Sequence, residues 1–510
     1  MTGTDYPPTY WDLIAATARE HPDQRVLLDD HDRTLTACEL HDRAEECAAG
    51  LHARGICAGT VVSWQLPTTL EAMVVMAALA RLGAVQNPVI TMLRETELTF
   101  ITEQLGTEHF LVPRTWREFD HAGLADALAA RTGLSVLIVD HDTDPRSLGG
   151  GLRLDLGDPA TLPPPPGPDA TAARWIYYSS GTTAAPKGVR HADRSVMAGS
   201  AGVVGMVGAS STDVNPIAFP VTHIGGAAML AASLLSGMQL ALFEAFDPVE
   251  SPLRFAARGV TLLGSATPFY LAFLEAQRRH GDTPLFPRLR ACLGGGAPIT
   301  PDLQRRVREV LHMPGVANAW GLTEFPVATS APPDGSPEVL DHTVGLPVPG
   351  VQVRTVDGEL RLKGPQCFLG YVDASLDADA FDEDGWFRTG DLGSVDADGN
   401  VRITGRLKDV IIRNAENITA QEVEGVVASY PGVVDVAVIG VPDARTGERV
   451  CAVVVCGPGV AVPDLGELGA HCSAQGLARF KHPERIEVVD VLPRNLAGKV
   501  VKRELQARFS

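Results

Sequence analysis

The run Tyr178-Ser179-Ser180-Gly181-Thr182-Thr183-Ala184-Ala185-Pro186-Lys187-Gly188 governs the reading of the whole chain. It follows Arg174-Trp175-Ile176-Tyr177, a short β-branched and aromatic stretch that predicts a strand. Small hydroxyl residues and two glycines then give a loop whose backbone can come close to an anion. Its hydroxyls and free N–H groups can cradle phosphate oxygens, and Lys187 adds a point charge. The P-loop pattern G-x-x-x-x-G-K-[ST] is absent, because the chain reads G-T-T-A-A-P-K-G from Gly181. The loop is therefore a phosphate cradle of another kind, or else a solvated Ser/Thr/Gly turn.

Outward from this loop, strands alternate with helices. Upstream, the spacing predicts helices over 11–19, 35–54, 69–81 and 95–105, and strands over 61–65, 84–88 and 136–139. Such alternation implies a parallel sheet with crossover connections. The segment 162–168, Leu-Pro-Pro-Pro-Pro-Gly-Pro, suits neither element and reads as an extended connector. Downstream, helices are expected over 195–207, 227–235, 252–258 and 267–279, with strands over 215–220, 239–243 and 261–263. From about Val351 the texture changes. Asp357-Gly358 and Asp398-Gly399-Asn400 signal hairpins, hence antiparallel sheet. Beyond Arg406 a smaller α+β unit follows, with a helix over 420–429 N-capped by Thr419 and strands over 433–440, 450–455 and 485–491. The expected fold class is α/β: a large N-terminal domain of mixed and parallel sheets with flanking helices and a β-rich subdomain (1–406), then a small C-terminal α+β domain (407–510).

Composition narrows the function. The chain has 510 residues, with Lys+Arg 43 against Asp+Glu 62, a net charge of −19. The mean field repels phosphates, which argues against a general nucleic-acid surface. Anionic substrates must then be met by local positive groups. The eight cysteines form no C-x-x-C pair, so reduced thiols and a cytoplasmic location are expected. No signal core or membrane span is read in the sequence. A homodimer is left open.

Four further blocks follow the phosphate loop in order. They are Gly294-Gly295-Gly296-Ala297-Pro298, Asn318-Ala319-Trp320-Gly321-Leu322-Thr323-Glu324, Trp386-Phe387-Arg388-Thr389-Gly390-Asp391 and Gly405-Arg406-Leu407-Lys408-Asp409. Leu492-Pro493-Arg494-Asn495-Leu496-Ala497-Gly498-Lys499 closes the series. A glycine run such as 294–296 lets a flat ring lie against backbone. Together the blocks resemble those of the adenylate-forming enzymes: acyl-CoA synthetases, luciferases and the adenylation domains of peptide synthetases. Asn87-Pro88 with 93–98 looks like the branch that activates medium-chain and alicyclic acids.

The resemblance implies a set of roles. Ser179, Ser180, Gly181, Thr182, Thr183 and Lys187 would hold ATP phosphates. Gly295, Gly296, Ala297 and Pro298 would line the adenine and acyl pocket, with Trp320 and Gly321 at the base. Trp320 stands where the family usually has Tyr, which keeps a stacking face and loses a phenol. Thr323 would bind the α-phosphate, and Glu324 with Thr182 would hold Mg²⁺, a hard cation that wants oxygen. Asp391 would accept the ribose hydroxyls, Arg406 would contact ribose and phosphate, and Lys408 sits at the hinge. Lys499 would bridge the acyl carboxylate and the α-phosphate. His223, within Pro220-Val221-Thr222-His223-Ile224-Gly225-Gly226, resembles a gate on the acyl pocket; a buried core histidine is the alternative.

The implied activity is an acyl-CoA synthetase using ATP, Mg²⁺ and coenzyme A on a small-molecule carboxylic acid. Glu448-Arg449-Val450 after Gly447 also resembles a run found in acyl-CoA synthetases. A stand-alone adenylating enzyme that loads a carrier protein is the alternative, disfavoured by the absence of a carrier domain after Ser510. A non-catalytic nucleotide sensor is a third, disfavoured by the presence of both Glu324 and Lys499. The small residues 225–227 and 294–297 suggest a roomy apolar pocket, suited to a medium-chain, alicyclic or bulkier acid.

Overall fold

Helix Leu70–Leu82 is apolar on all sides and lies almost wholly buried, the behaviour of a helix enclosed between layers. It packs on helix Ala37–Ala53 and beneath the sheet that carries the phosphate loop. The computed structural model describes residues 6–140, 154–179, 186–296, 299–414, 416–457, 459–494 and 499–510. That central sheet has the order 187–191, 175–179, 85–88, 61–64, 109–112, 135–138. All its pairs are parallel except the first, where Lys187–His191 runs antiparallel to Trp175–Ser179. The phosphate loop therefore bridges an antiparallel pair, and the register sets Lys187 opposite Ser179. Strand Lys187–His191 was not expected from the sequence, since Val189 is its sole β-branched residue.

A second sheet joins Val214–Ile217, Gln239–Leu242, Arg25–Asp29 and Thr34–Thr36. Pro216 is tolerated there because its strand is an edge. A third has Leu262–Ser265, Ala291–Gly295 and Val316–Leu322 in parallel, then Phe325–Ser330 and Leu346–Pro347 antiparallel. An antiparallel sheet of Gln352–Val356, Glu359–Lys363, Phe387–Val395 and Val401–Arg406 follows. The hairpin expected at Asp357-Gly358 is present, with both residues at positive φ.

After Arg406 the chain leaves that sheet through the turn Leu407–Asp409. It enters a separate sheet with the path 416–419, 410–413, 447–456, 433–443, to which 485–488 adds in parallel. The large α/β part and the small C-terminal part thus match the expected fold class.

Two local expectations are corrected. The helix read over 35–54 begins at Ala37, because Leu35 belongs to strand Thr34–Thr36 and Thr36 forms a capping box with Glu39. Thr419 does stand at the N-cap position of helix Ala420–Val427, but its side chain makes no capping bond. The eight cysteines are free thiols. Among the described residues no helix is long and apolar enough to cross a membrane.

Candidate active site

Thr323 and Glu324 form the two-residue connection between strands Val316–Leu322 and Phe325–Ser330. The register slips between Trp320 and Leu322, a bulge that bends the strand at Gly321. A Cβ on Gly321 would stand 2.5 Å from the Val327 nitrogen, so glycine is required where the two backbones close up. The Trp-Gly-Leu-Thr-Glu order thus has a mechanical reason. It lifts a threonine and a carboxylate to the tip of a hairpin.

Neighbours hold that tip in place. His191 Nε2 donates to the Thr323 carbonyl at 2.7 Å, and Ser195 Oγ lies 2.8 Å from its Nδ1. Burial pushes the His191 pKa down to about 4, against the raising effect of the Thr323 bond, so the ring is neutral near pH 7. Tyr371 donates from its hydroxyl to Glu324 Oε1 at 3.0 Å. Its ring also lies under Lys187, whose Nζ sits 5.3 Å from the centroid. One tyrosine therefore touches both the acidic tip and the lysine of the phosphate loop. Neither His191 nor Tyr371 was singled out in the sequence. Only their distance along the chain from Glu324 concealed them.

Asp391 and Arg406 are direct cross-strand partners. Arg406 Nε donates to Asp391 Oδ1 at 2.6 Å, and Trp320 Nε1 donates to Oδ2 at 2.8 Å. Asp391 is 3% exposed and Trp320 6%. The indole face offered to an adenine is thus largely covered, while the N–H that replaces the phenol is committed to the carboxylate.

Lys499 comes from the C-terminal part. Its segment is closed by an antiparallel bridge between Arg494 and Val500 and by Val501 N–H donating to the Pro493 carbonyl at 2.8 Å. An Arg494–Asp435 ion pair at 2.6 Å and a Lys502–Glu424 pair at 2.7 Å tie the flanks down. The Lys499 ammonium sits in a cleft, reached by solvent yet enclosed by protein, within the fields of Arg406, Asp391, Lys408 and Glu324. Desolvation first, then the two cations, lower its pKa, while the two carboxylates oppose them. Lys408 is lowered in the same way, by desolvation first. Lys187, Arg406, Lys408 and Lys499 supply the local positive charge that a chain of net charge −19 needs to receive a polyphosphate.

His223 also faces this cleft. Its Nδ1 accepts from the Gly225 N–H at 3.2 Å, capping helix Ile224–Ser236, so a neutral ring carries its proton on Nε2. Desolvation and then the Lys499 charge lower its pKa to about 4. The ring is solvent-accessible but ringed by protein, as suits a cavity wall. A small cavity beside it, of about 30 Å³, brings Pro88, Ile90, Leu93 and Ile101 together with His223 and Thr323.

Gly226, Gly294 and Ala227 do not make that room. A Cβ on Gly226 would stand 1.9 Å from the Val221 carbonyl oxygen, and one on Gly294 would stand 2.8 Å from Val316 Cγ1. Ala227 is fully buried in the core. These positions are small for close packing, and the space lies against the 88–101 segment instead. Gly295 ends its strand beside Ala319, and Gly296 has φ +78° with open space around its Cβ position. Ser179 and Lys187 flank the phosphate loop as described. Ser180, Gly181, Thr182, Thr183, Ala297 and Pro298 lie outside the described residues.

Among the described residues no group of three acidic, His or Cys side chains could enclose a metal ion. Glu324 keeps its second oxygen beside the tip, and one carboxylate completed by substrate phosphates and water is how proteins commonly hold Mg²⁺. The donor set fits that ion.

The family model described as "AMP-binding enzyme" matches residues 14–372, and the "AMP-binding enzyme C-terminal domain" model matches 422–499. A methyl-dioxo-octahydroindenyl-propanoyl:CoA ligase of Mycobacterium tuberculosis is 33% identical over 96% of this chain and 96% of its own length. A salicyl-AMP ligase/salicyl-S-ArCP synthetase of the same organism is 32% identical over 97% of this chain and 89% of its own. The crystal structure of ATP-bound MatB from Rhodopseudomonas palustris superposes with a TM-score of 0.85 at 28% identity, covering 100% of this chain and 99% of that one.

Proposed function

This chain belongs to the AMP-binding enzyme family, and we propose that it is an AMP-forming acyl-CoA synthetase. The observation that carries the reading is the convergence on one cleft of Lys499, from the C-terminal part, with Glu324, Asp391, Arg406 and His223 from the N-terminal part. The division at 406/407 follows the change of sheet there and the two family models on either side.

A carboxylate is a poor acyl donor because an oxide would have to leave. Its oxygen attacks the α-phosphorus of ATP, the bond to the bridging oxygen breaks, and pyrophosphate departs. Lys499 and Thr323 stabilise the charge that develops at phosphorus, and the cleft keeps them in place before reaction. Asp391, fixed by Trp320 and Arg406, accepts the ribose hydroxyls. Lys187, Ser179 and the loop between them hold the outer phosphates. Glu324, oriented by Tyr371, with Thr182 would hold Mg²⁺, which neutralises the phosphate charge. The neutral His223 ring closes the acid cavity. In the second step the coenzyme A thiol attacks the acyl-adenylate carbonyl, loses its proton and expels AMP. Rotation about Lys408 would remove Lys499 from the cleft to open the thiol's path. An uncharged acid with an aliphatic or ring body suits the aliphatic wall at 88–101. A cytoplasmic location belongs to the same reading.

The likeness to a salicyl-S-ArCP synthetase supports a second reading, in which a carrier protein takes the place of coenzyme A. Acid-dependent ATP–pyrophosphate exchange tests the first half-reaction, and its absence with every acid would remove the synthetase reading. Acyl-thioester formation with free coenzyme A separates the two acceptors: no thioester with coenzyme A alongside normal exchange would favour the carrier protein.

A further inference from the structure

We propose that the cleft between the N-terminal segment 6–9, the connector at 167–170 and the first turn of helix Asp193–Val207 is a second ligand site, and that it takes a flat ring carrying an anionic group. The synthetase chemistry makes no use of it.

The cleft holds about 430 Å³, against about 30 Å³ for the cavity beside His223, and falls in the range that binds small molecules. Arg174, which lines it, immediately precedes strand Trp175–Ser179, whose other end leads into the phosphate loop. Five residues of extended chain put Arg174 roughly 16 Å from Ser179, so a molecule held there sits apart from the ATP cleft.

Both proline-bearing walls are tied down. Tyr10 N–H donates to Asp193 Oδ2 at 3.0 Å, and the Thr9 hydroxyl caps helix Tyr10–Glu20, which fixes the wall at Tyr6–Thr9. On the other side, Arg81 Nη2 donates to the Pro163 carbonyl at 3.0 Å. Pro166 packs onto Gly83 so closely that a Cβ there would stand 2.4 Å from its Cγ. The room is therefore present before a ligand arrives, and binding spends little on ordering the walls.

The lining sets the ligand's chemistry. Pro7, Pro8 and Pro168, with the ring of Tyr6, offer flat hydrocarbon faces. Arg174 and Arg194 supply positive charge. Arg174 gives one N–H to the Gly83 carbonyl at 2.6 Å, and Arg194 bonds the Tyr6 hydroxyl. A guanidinium has five N–H donors, so each can still meet a phosphate or carboxylate. The two lining carboxylates are engaged within the protein. Asp193 accepts from Tyr10 N–H and from Trp175 Nε1 at 2.8 Å, while Asp169 Oδ1 accepts the N–H and the hydroxyl of Thr171 at 2.8 and 2.7 Å. An aryl phosphate or carboxylate and a nucleoside monophosphate share the required chemistry.

Calorimetric titration of the full chain tests the site, with phenyl phosphate, benzoate, cytidine monophosphate and inorganic phosphate as probes. At least one ringed probe should bind about tenfold or more tightly than inorganic phosphate, because only it uses the proline and tyrosine faces. Arg194→Glu should weaken that binding at least about tenfold, and Arg194→Lys less. Ala170→Trp, which fills the connector side, should weaken it as well. Arg406→Ala, which removes a charge from the distant ATP cleft, should change it by less than about twofold. Arg194 is exposed, so its variants should melt within about two degrees of the wild type. Tighter binding of the nucleotide or of the aryl anions supports the site either way and tells the two sources apart. Binding lost in Arg406→Ala but kept in Arg194→Glu would put the probe in the ATP cleft and overturn the second site. So would a failure of every ringed probe to bind at millimolar concentration. Inorganic phosphate binding as tightly as the ringed probes would overturn the preference for a ring.

Discussion

Replacing Trp320 by phenylalanine should weaken the grip on ATP through its ribose. The substitution keeps an aromatic ring and deletes one donor, the N–H that reaches Asp391 Oδ2 at 2.8 Å. Both partners are buried, at 6% and 3% exposure, so solvent does little to screen the loss. A hydrogen bond to a charged group contributes about 1.5–3 kcal/mol. Arg406 still holds the other oxygen at 2.6 Å, so Asp391 stays near its place but is free to turn. If roughly half of the bond's worth appears as lost orientation when the nucleotide binds, ATP affinity falls by about 0.8–1.5 kcal/mol, or roughly 4- to 13-fold. The informative measurement is calorimetric affinity for ATP against its 2′-deoxy and 3′-deoxy analogues. An oriented carboxylate distinguishes them, because each lost hydroxyl removes one of the bonds it would accept from the ribose. The preference for ATP should therefore shrink by about the same factor as the affinity, and Trp320→Tyr should restore part of it. If both analogues and ATP weaken together with the preference intact, Trp320 is packing alone and its link to Asp391 carries no recognition.

Lys499→Ala should abolish acyl-adenylate formation while leaving much of the thiol step on preformed adenylate; equal loss in both half-reactions would make the lysine structural. Lys408→Pro should fix φ near −65° in the turn Leu407–Asp409 and trap one domain arrangement. If the adenylating arrangement is trapped, pyrophosphate exchange survives and thioester formation falls by orders of magnitude, with Lys408→Ala as the charge control. Tyr371→Phe retains the ring under Lys187 and removes the bond to Glu324, so the Mg²⁺ concentration for half-maximal ATP binding should rise several-fold while ATP binding without Mg²⁺ stays put. His191 is fully buried with a pKa of about 4, below the unfolded value of 6.5. The unfolded chain then binds the proton that the folded one refuses. The contribution is present above pH 6.5 and is lost as pH falls toward 4, up to about 3 kcal/mol, and His191→Gln should flatten urea midpoints over that window.

The sequence alone determined the α/β class, the order of the site blocks, and the residue types that chemistry on a phosphate and a carboxylate requires. Those are local matters. Periodicity gave helix Glu95–Leu105 to the residue, and Asp-Gly pairs gave the hairpins, because each depends on neighbours within a turn or two. It also named Lys499, Asp391 and Glu324 separately. Tertiary structure decided how they act together. Strand register made Asp391 the partner of Arg406, and a bulge at Gly321 raised Thr323 and Glu324. Contacts across 47 and 132 residues brought in Tyr371 and His191, which no spacing rule could find. Of the glycines read as pocket space, Gly226 proved to be a close backbone contact and Gly294 a close side-chain one, Gly296 stands in open space, and the cavity beside His223 opened against 88–101. A missing side chain looks the same in sequence whether it clears a path for a ligand or for a neighbouring carbonyl. Only packing in three dimensions tells the two apart.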